Sequence, residues 1–200
     1  MSLPPSQSGL TSRPPRPAQE LVGDLKLSDD GRKLLRPDMT VVEYFDALVK
    51  ARQFPDAVRF VARAMTPKQA VWWGILCIWA TARPQPATKM EAAVHAAVKW
   101  LREPSDANRR AAGVAGTAVG STTPAGLIAT AAFLAEGSLA PEGKPEVKPD
   151  PRLSATLVAE AVLALSRSAG HAPPGGPLVR QFLVIAVDIF RGTNTPEGKA

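Results

Sequence analysis

From Thr40 onward the apolar positions recur at the three- and four-residue spacing of helices. Val41, Phe45 and Leu48 share one predicted helix face. Thr40 and Glu43 are spaced as a capping box, in which the hydroxyl and the carboxylate each accept a backbone N–H. The pattern therefore predicts that the ordered domain begins at residue 40.

Prolines and polar caps mark where the following helices begin. Pro55, Pro67 and Pro124 occupy positions where a first-turn proline is tolerated, and Ser105 and Ser154 are candidate caps. Glycine and proline separate the apolar segments. We expect an all-α fold, with seven to eight short helices packed as antiparallel hairpins around a tryptophan-rich central helix.

The predicted central helix is the most apolar stretch of the chain, residues 70–82. Trp72, Trp73 and Trp79 lie on more than one of its faces, so neighbouring helices should surround it. We predict a structural core formed by these three tryptophans; Phe45 and Phe182 are predicted to belong to it as well. A cofactor box is the alternative interpretation of the tryptophans, and core packing is favoured over it.

The chain is predicted to contain four regions. Residues 1–19 are predicted to be a disordered proline-rich tail, residues 20–39 a short helical lead-in, and residues 40–192 the helical domain. Residues 193–200 are predicted to fray.

Within the domain, residues 136–152 carry four prolines among charged residues and should be extended. This strap either packs across the helices, anchored by Leu139 and Val147, or occupies a groove of a partner. We favour packing on the domain.

Composition excludes several classes of protein. The chain has 200 residues, one cysteine and two histidines, so an intramolecular disulfide is impossible and a zinc site is disfavoured. Cys77 is interpreted as an inert core thiol and His95 as a surface histidine between Glu91 and Lys99. No metal, cofactor or catalytic residue is predicted.

No segment is long enough to cross a membrane, because residues 70–82 are 13 residues and a span needs about 20. The first residues, Met1 to Pro5, do not resemble a secretory signal. We therefore expect a cytoplasmic protein without membrane association.

The net charge of +6 is concentrated in the middle of the chain. Residues 40–135 hold eleven basic and six acidic residues. Such a surplus could attract nucleic acid. Because the basic residues are spread over five predicted helices with few aromatic residues among them, a solvated surface is the favoured interpretation.

Glu160 is the main candidate for chemistry. It interrupts an almost entirely apolar helix, so we predict a buried ion pair with Arg59 or Arg180. The alternative is a small-molecule or catalytic site that uses Glu160 with a nearby arginine. The ion pair is favoured.

A resemblance to a known family spans roughly residues 28–192. The segments that carry it are Phe54-Pro55-Asp56-Ala57-Val58-Arg59-Phe60, Ala70-Val71-Trp72-Trp73, Pro104-Ser105-Asp106, Arg109-Arg110-Ala111-Ala112, Thr123-Pro124-Ala125-Gly126 and Gly137-Ser138-Leu139-Ala140-Pro141. They resemble a bacterial all-helical family of unknown function that is associated with type VI secretion gene neighbourhoods. The resemblance implies a fold but no established activity and no catalytic residues.

Taken with these exclusions, the sequence favours a non-enzymatic scaffold, adaptor or accessory protein that binds an unidentified protein partner. The resemblance links that partner to a secretion apparatus. Small-molecule binding or catalysis at Glu160 and weak nucleic-acid binding through the middle region are the alternatives. The oligomeric state stays open.

Overall fold

The computed structural model describes residues 17–81, 89–141, 143–168 and 176–196. Within these ranges the chain forms ten α-helices and no strand longer than the single Pro17–Thr40 bridge. The helices are α1 (Gln19–Val22), α2 (Asp29–Lys33), α3 (Val41–Lys50), α4 (Phe54–Ala64), α5 (Pro67–Thr81), α6 (Lys89–Arg102), α7 (Asp106–Val119), α8 (Pro124–Phe133), α9 (Pro151–Ser168) and α10 (Pro177–Phe190).

The all-α prediction is confirmed. The count differs from the expected seven to eight because the lead-in contributes two short helices, α1 and α2, before the eight that follow. The packing differs as well. Helices α5, α8 and α9 pack on one another and on most of the remaining helices, so three helices share the centre that was predicted for α5 alone.

The predicted tail over residues 1–19 and the predicted frayed end over residues 193–200 lie partly outside the described residues, which omit 1–16 and 197–200. His171 also lies outside them. Ala18 is buried and its N–H donates to the Met39 carbonyl at 2.8 Å. Asn194 accepts a hydrogen bond from the Trp72 indole at 3.1 Å. The described residues next to both ends are therefore attached to the helices.

Local capping explains most helix starts. Both bonds of the Thr40–Glu43 capping box are present. The Thr40 N–H and hydroxyl both donate to the Glu43 carboxylate, and these two bonds lower the pKa of Glu43. Thr123 accepts from the Gly126 N–H, as predicted for α8. Ser154 does not cap α9, because that helix begins three residues earlier, and the Arg152 N–H donates to Asp150 instead.

The lead-in is fastened to α4 through a buried carboxylate. The Ser28 hydroxyl donates to Asp56 at 2.6 Å, and the same hydroxyl accepts from the Gly31 N–H to cap α2. The Tyr44 hydroxyl donates to the Gly31 carbonyl at 2.8 Å. The N–H and hydroxyl of Ser28 both donate to the buried Asp56 carboxylate, whose burial would otherwise be costly.

Helices α7 and α8 approach closely through their small residues. A Cβ on Gly126 would collide with the backbone oxygens of Gly120 and Gly116. Glycine is therefore required at this crossing, in line with the small-residue pattern of both helices.

The strap of residues 136–152 is held mainly by arginines. Arg109 and Arg110 both donate to the Ser138 carbonyl, at 2.7 and 3.2 Å. The strap also closes on itself, because the Leu139 N–H donates to the Val147 carbonyl at 2.8 Å. The expected anchoring by the Val147 side chain is wrong, since that side chain is exposed and only its backbone is engaged.

Candidate functional site

An apolar stripe on α3 remains partly uncovered. Val41, Val42, Phe45 and Val49 follow one side of the helix, and α3 packs chiefly on α4. Val42 is 55% exposed, which is unusual for a valine beside a large apolar surface. The stripe therefore forms one wall of an open groove.

Helix α10 supplies the opposite wall. Its residues Leu183, Val184, Val187 and Phe190 recur at helical spacing along the same opening. Val184 is 60% exposed. Helix α10 packs on α4, α5 and α9 but has little direct contact with α3, so the two walls stay apart.

The floor comes from α4, and the opening is continuous. Phe54 lies under one end of the opening, where the cavity measures about 550 Å³. Phe60 and Val61 lie under the other end, where it measures about 350 Å³. Phe45 and Val187 line both parts, so together they form one groove, which we call the α3–α10 groove.

Basic residues line one end of this groove. Lys50, Arg52, Arg180 and Arg191 border the part above Phe54, where Asp188 is the only acidic neighbour among the described residues. None of these four basic side chains forms an ion pair with a carboxylate in the described part of the chain. The cations are therefore available to an occupant of the groove.

Arg52 has an unusual backbone conformation. It follows α3 with φ of 58°, in the left-handed region where glycine is favoured. The Arg52 N–H donates to the Val49 carbonyl and the Gln53 N–H to the Leu48 carbonyl, which is a Schellman motif. A side chain in this conformation costs about 1 kcal/mol relative to glycine.

The predicted core residues differ in burial. Trp73 and Phe182 are fully buried, and the Trp73 indole donates to the Phe182 carbonyl at 2.8 Å. Phe45 and Trp72 are partly buried against the core. Trp79 is 37% exposed and contacts Trp72 edge to face, so its assignment to the core is corrected.

Helical spacing is the physical reason that Trp73 and Trp79 differ in exposure. Trp72 and Trp79 are seven residues apart and share one face of α5, whereas Trp73 is turned about 100° from them. Trp100 of α6, which was not among the predicted core residues, is fully buried.

The candidate ion pair forms with one of its two predicted partners. Arg59 Nε lies 3.3 Å from Glu160 Oε1, while Arg180 stacks over the Phe54 ring at 5.4 Å. The Glu160 side chain is 45% exposed, so the prediction of a buried pair is corrected. The Glu160 side chain is therefore partly accessible to water.

Glu160 and Asp24 border a smaller cavity of about 200 Å³. Arg63 Nη1 lies 3.0 Å from Asp24 Oδ1, and Arg152 Nη1 lies 3.2 Å from Asp24 Oδ2. Both carboxylates of this cavity are thus paired with arginines, which is typical of a structural ionic connection between helices.

Asp24 predicts a pH dependence of stability. Burial by itself raises the pKa of Asp24, but the hydrogen bond and charge of Arg63, with the charge of Arg152, outweigh it and hold the pKa below its ordinary value of 3.8. A lowered pKa stabilises the fold fully above pH 3.8, and this stabilisation disappears as the pH falls through the folded-state value.

We therefore expect the melting temperature of Asp24→Asn to lie below that of the parent protein by a constant amount between about pH 5 and 7. The difference should shrink as the pH falls below 3.8 and through the lower folded-state pKa of Asp24, because both forms then carry a neutral side chain. Melting curves by circular dichroism at a series of pH values measure it. A difference that persists unchanged at about pH 3 would contradict the assignment.

Cys77 and His95, the other candidates from the sequence, lie in environments typical of structural residues. Cys77 is buried, which raises the pKa of its thiol well above the ordinary value and keeps it protonated. His95 Nε2 lies 3.7 Å from Glu91 Oε1 at the surface. Among the described residues no group of three or more histidine, cysteine or acidic side chains could hold a metal ion.

Arg109 is a buried polar residue that was not among the candidates predicted from the sequence. Its side chain is 1% exposed and donates to Asp106, to the Phe133 carbonyl and to the Ser138 carbonyl. The burial of Arg109 could have been predicted from its position, because Arg109 shares a face of α7 with the small residues Ala112 and Gly116. An arginine on such a face must find internal acceptors.

These features define an all-α protein with an open apolar groove that is basic at one end. In the described part of the chain, no helix combines the length and apolar character that crossing a membrane requires. The chain belongs to a family of unknown function, DUF6931, whose profile matches residues 44–190. No curated protein and no solved structure is significantly similar to it.

Proposed function

We propose that this protein is a non-enzymatic helical scaffold that binds a segment of a protein partner in the α3–α10 groove. The observation that carries the proposal is the exposure of Val42 and Val184 on facing walls above an aromatic floor. Exposed apolar side chains concentrated at one concave site are typical of binding surfaces, whereas scattered ones are not. Partner binding would remove both valines from water.

A component of a type VI secretion apparatus is the partner to look for first. This choice rests on the resemblance of the sequence to a bacterial family found near secretion genes. The resemblance guides the choice of the first partner to test. Binding in the groove is inferred from the exposed valines and does not depend on the resemblance.

The alternatives have less support. A catalytic or small-molecule site at Glu160 would need an available carboxylate, and Arg59 already pairs with it. Nucleic-acid binding would need the basic surplus of the middle region on one surface. Arg59, Arg63, Arg109 and Arg110 of that region are instead paired with carboxylates of the same chain.

The experiment is site-specific photo-cross-linking in the cells that produce the protein. A photoreactive amino acid replaces Val184 in the full chain, and the matched control replaces Val114, which is 71% exposed on α7. We expect the Val184 position to form a covalent adduct with another protein, and the Val114 position to form none. In a second chain the photoreactive residue replaces Val42, and adding Val184→Asp should abolish its adduct.

Three results would overturn the proposal: no adduct at Val184, equal adducts at both positions, or an adduct only with a second copy or with the protein's own chain. The melting temperature of each variant is measured first. Because Val42, Val114 and Val184 are all exposed, it should stay close to that of the parent protein.

A further inference from the structure

The dimensions of the α3–α10 groove match a short helix. The apolar lining on α3 runs from Val41 to Val49, and the whole lining on the α10 side runs from Arg180 to Arg191, one residue beyond that helix. At a rise of about 1.5 Å per residue these two walls are about 12 and 16 Å long, which corresponds to two to three helical turns.

The walls also favour a helix over an extended segment. The start of α3 faces the end of α10, and the end of α3 faces the start of α10, so two antiparallel helices form the groove. Ridges of side chains at three- and four-residue spacing interlock with the same ridges on another helix. A peptide binding as a β-strand would need a sheet edge, and the described residues contain no sheet.

The charged residues that line the groove also indicate the charge of its occupant. Lys50, Arg52 and Arg180 border only the end above Phe54, where Asp188 is the one carboxylate among the described residues. Arg191 borders both ends, and Asp46 borders only the other end. An occupant with an apolar stripe and acidic residues at one end would complement this distribution.

The protein's own segments do not fit as well. Residues 1–16 contain Arg13 and Arg16 and no acidic residue, so their charge has the same sign as the basic end of the groove. A second copy that paired groove to groove would bring Lys50, Arg52 and Arg180 into the interface twice. Like charges disfavour both arrangements.

Arg52 adds an independent observation. Its left-handed backbone conformation would be more easily adopted by glycine, and its side chain is exposed beside the groove without an ionic partner. Backbone strain of this kind also occurs at binding sites. Arg52 therefore presents an unpaired cation at the edge of the groove.

We propose that the α3–α10 groove binds an amphipathic helix of two to three turns from another protein, with acidic residues at one end against Lys50, Arg52 and Arg180. Arg52 is the residue that determines this charge preference. The inference rests on the proposed function and specifies the chemistry of the partner.

The test uses the full-length protein and three fluorescent peptides measured by polarisation. One peptide is an amphipathic helix with a leucine stripe and three glutamates at one end, the second carries lysines in place of the glutamates, and the third is a scramble of the first. We expect the glutamate peptide to bind about tenfold more tightly than the lysine peptide, since each ion pair contributes modestly. The scramble should not bind.

Replacement of Arg52 separates binding from folding. Arg52→Gly should raise the melting temperature, because glycine adopts the left-handed conformation freely, and should weaken the glutamate peptide about threefold. Lys99→Gln removes one exposed charge from α6, away from the groove, and should change neither property. Raising the salt from about 0.05 to 0.5 M should reduce the preference for glutamate.

Equal binding of the glutamate and lysine peptides, binding of the scramble, or unchanged affinity in Arg52→Gly would overturn the inference. So would binding of anionic phospholipid vesicles that Arg52→Gly abolishes, because the cations would then serve a lipid surface. A Val184 adduct whose partner segment is neither acidic nor helical would leave the proposed function standing and refute this inference. Absence of any adduct at Val184 would refute the proposed function itself.

Discussion

Replacement of Trp73 by alanine should lower the free energy of unfolding by about 3–5 kcal/mol. The ring is fully buried in α5, and its indole N–H donates to the Phe182 carbonyl at 2.8 Å. Alanine would leave a cavity between α5 and α10 and a carbonyl without its donor, and both effects destabilise the fold.

Urea denaturation followed by circular dichroism at 222 nm measures the effect, since fluorescence would change with the tryptophan itself. Trp79→Ala is the matched control, because that ring is 37% exposed and should cost about 1 kcal/mol. Equal losses for Trp73→Ala and Trp79→Ala would show that the two rings do not differ in burial as described.

The comparison of these two tryptophans illustrates what the sequence could predict. Helix starts depend on neighbouring residues, so the Thr40–Glu43 capping box is recognisable from four consecutive positions of the chain. The face on which each tryptophan lies also follows from helical spacing. Which face of α5 is covered depends on α8, α9 and α10, which come much later in the chain.

The α3–α10 groove could not be predicted for the same reason. Its walls and floor come from residues 41–52, 54–61 and 180–191, and the uncovered faces look like ordinary core stripes in the sequence. An apolar stripe in the sequence predicts an apolar helix face. Whether another helix covers that face depends on how the helices pack together. Val42 and Val184 are therefore indistinguishable from buried valines in the sequence.

For the charged residues as well, the sequence predicts less than the packed helices show. The basic surplus of residues 40–135 predicts a solvated surface. In the fold some of these basic residues hold helices together, such as Arg59 and Arg109. Others border the groove, such as Lys50, or lie exposed elsewhere, such as Lys99. The first group is paired within the chain and is not available to a partner.

Arg109→Met should lower the free energy of unfolding by about 2–4 kcal/mol and loosen the strap of residues 136–152. The buried guanidinium donates to the Phe133 carbonyl at 2.6 Å and to the Ser138 carbonyl at 2.7 Å. Methionine fills part of the space but leaves both carbonyls without this donor. The Arg109 side chain also leaves no room for a larger residue at Gly137, since a Cβ there would lie 2.9 Å from Arg109 Nε.

Arg110→Met is the control, because Arg110 also donates to the Ser138 carbonyl but is partly exposed, so water can replace much of what it provides. Its expected cost is about 1 kcal/mol. Urea denaturation measures stability, and cleavage after Glu146 by a glutamate-specific protease measures opening of the strap. Faster cleavage in Arg109→Met than in Arg110→Met is expected, because the buried arginine joins α7, the end of α8 and the strap, whereas its exposed neighbour joins only α7 and the strap. Equal cleavage rates would show that Arg109 does not restrain the strap more than Arg110 does.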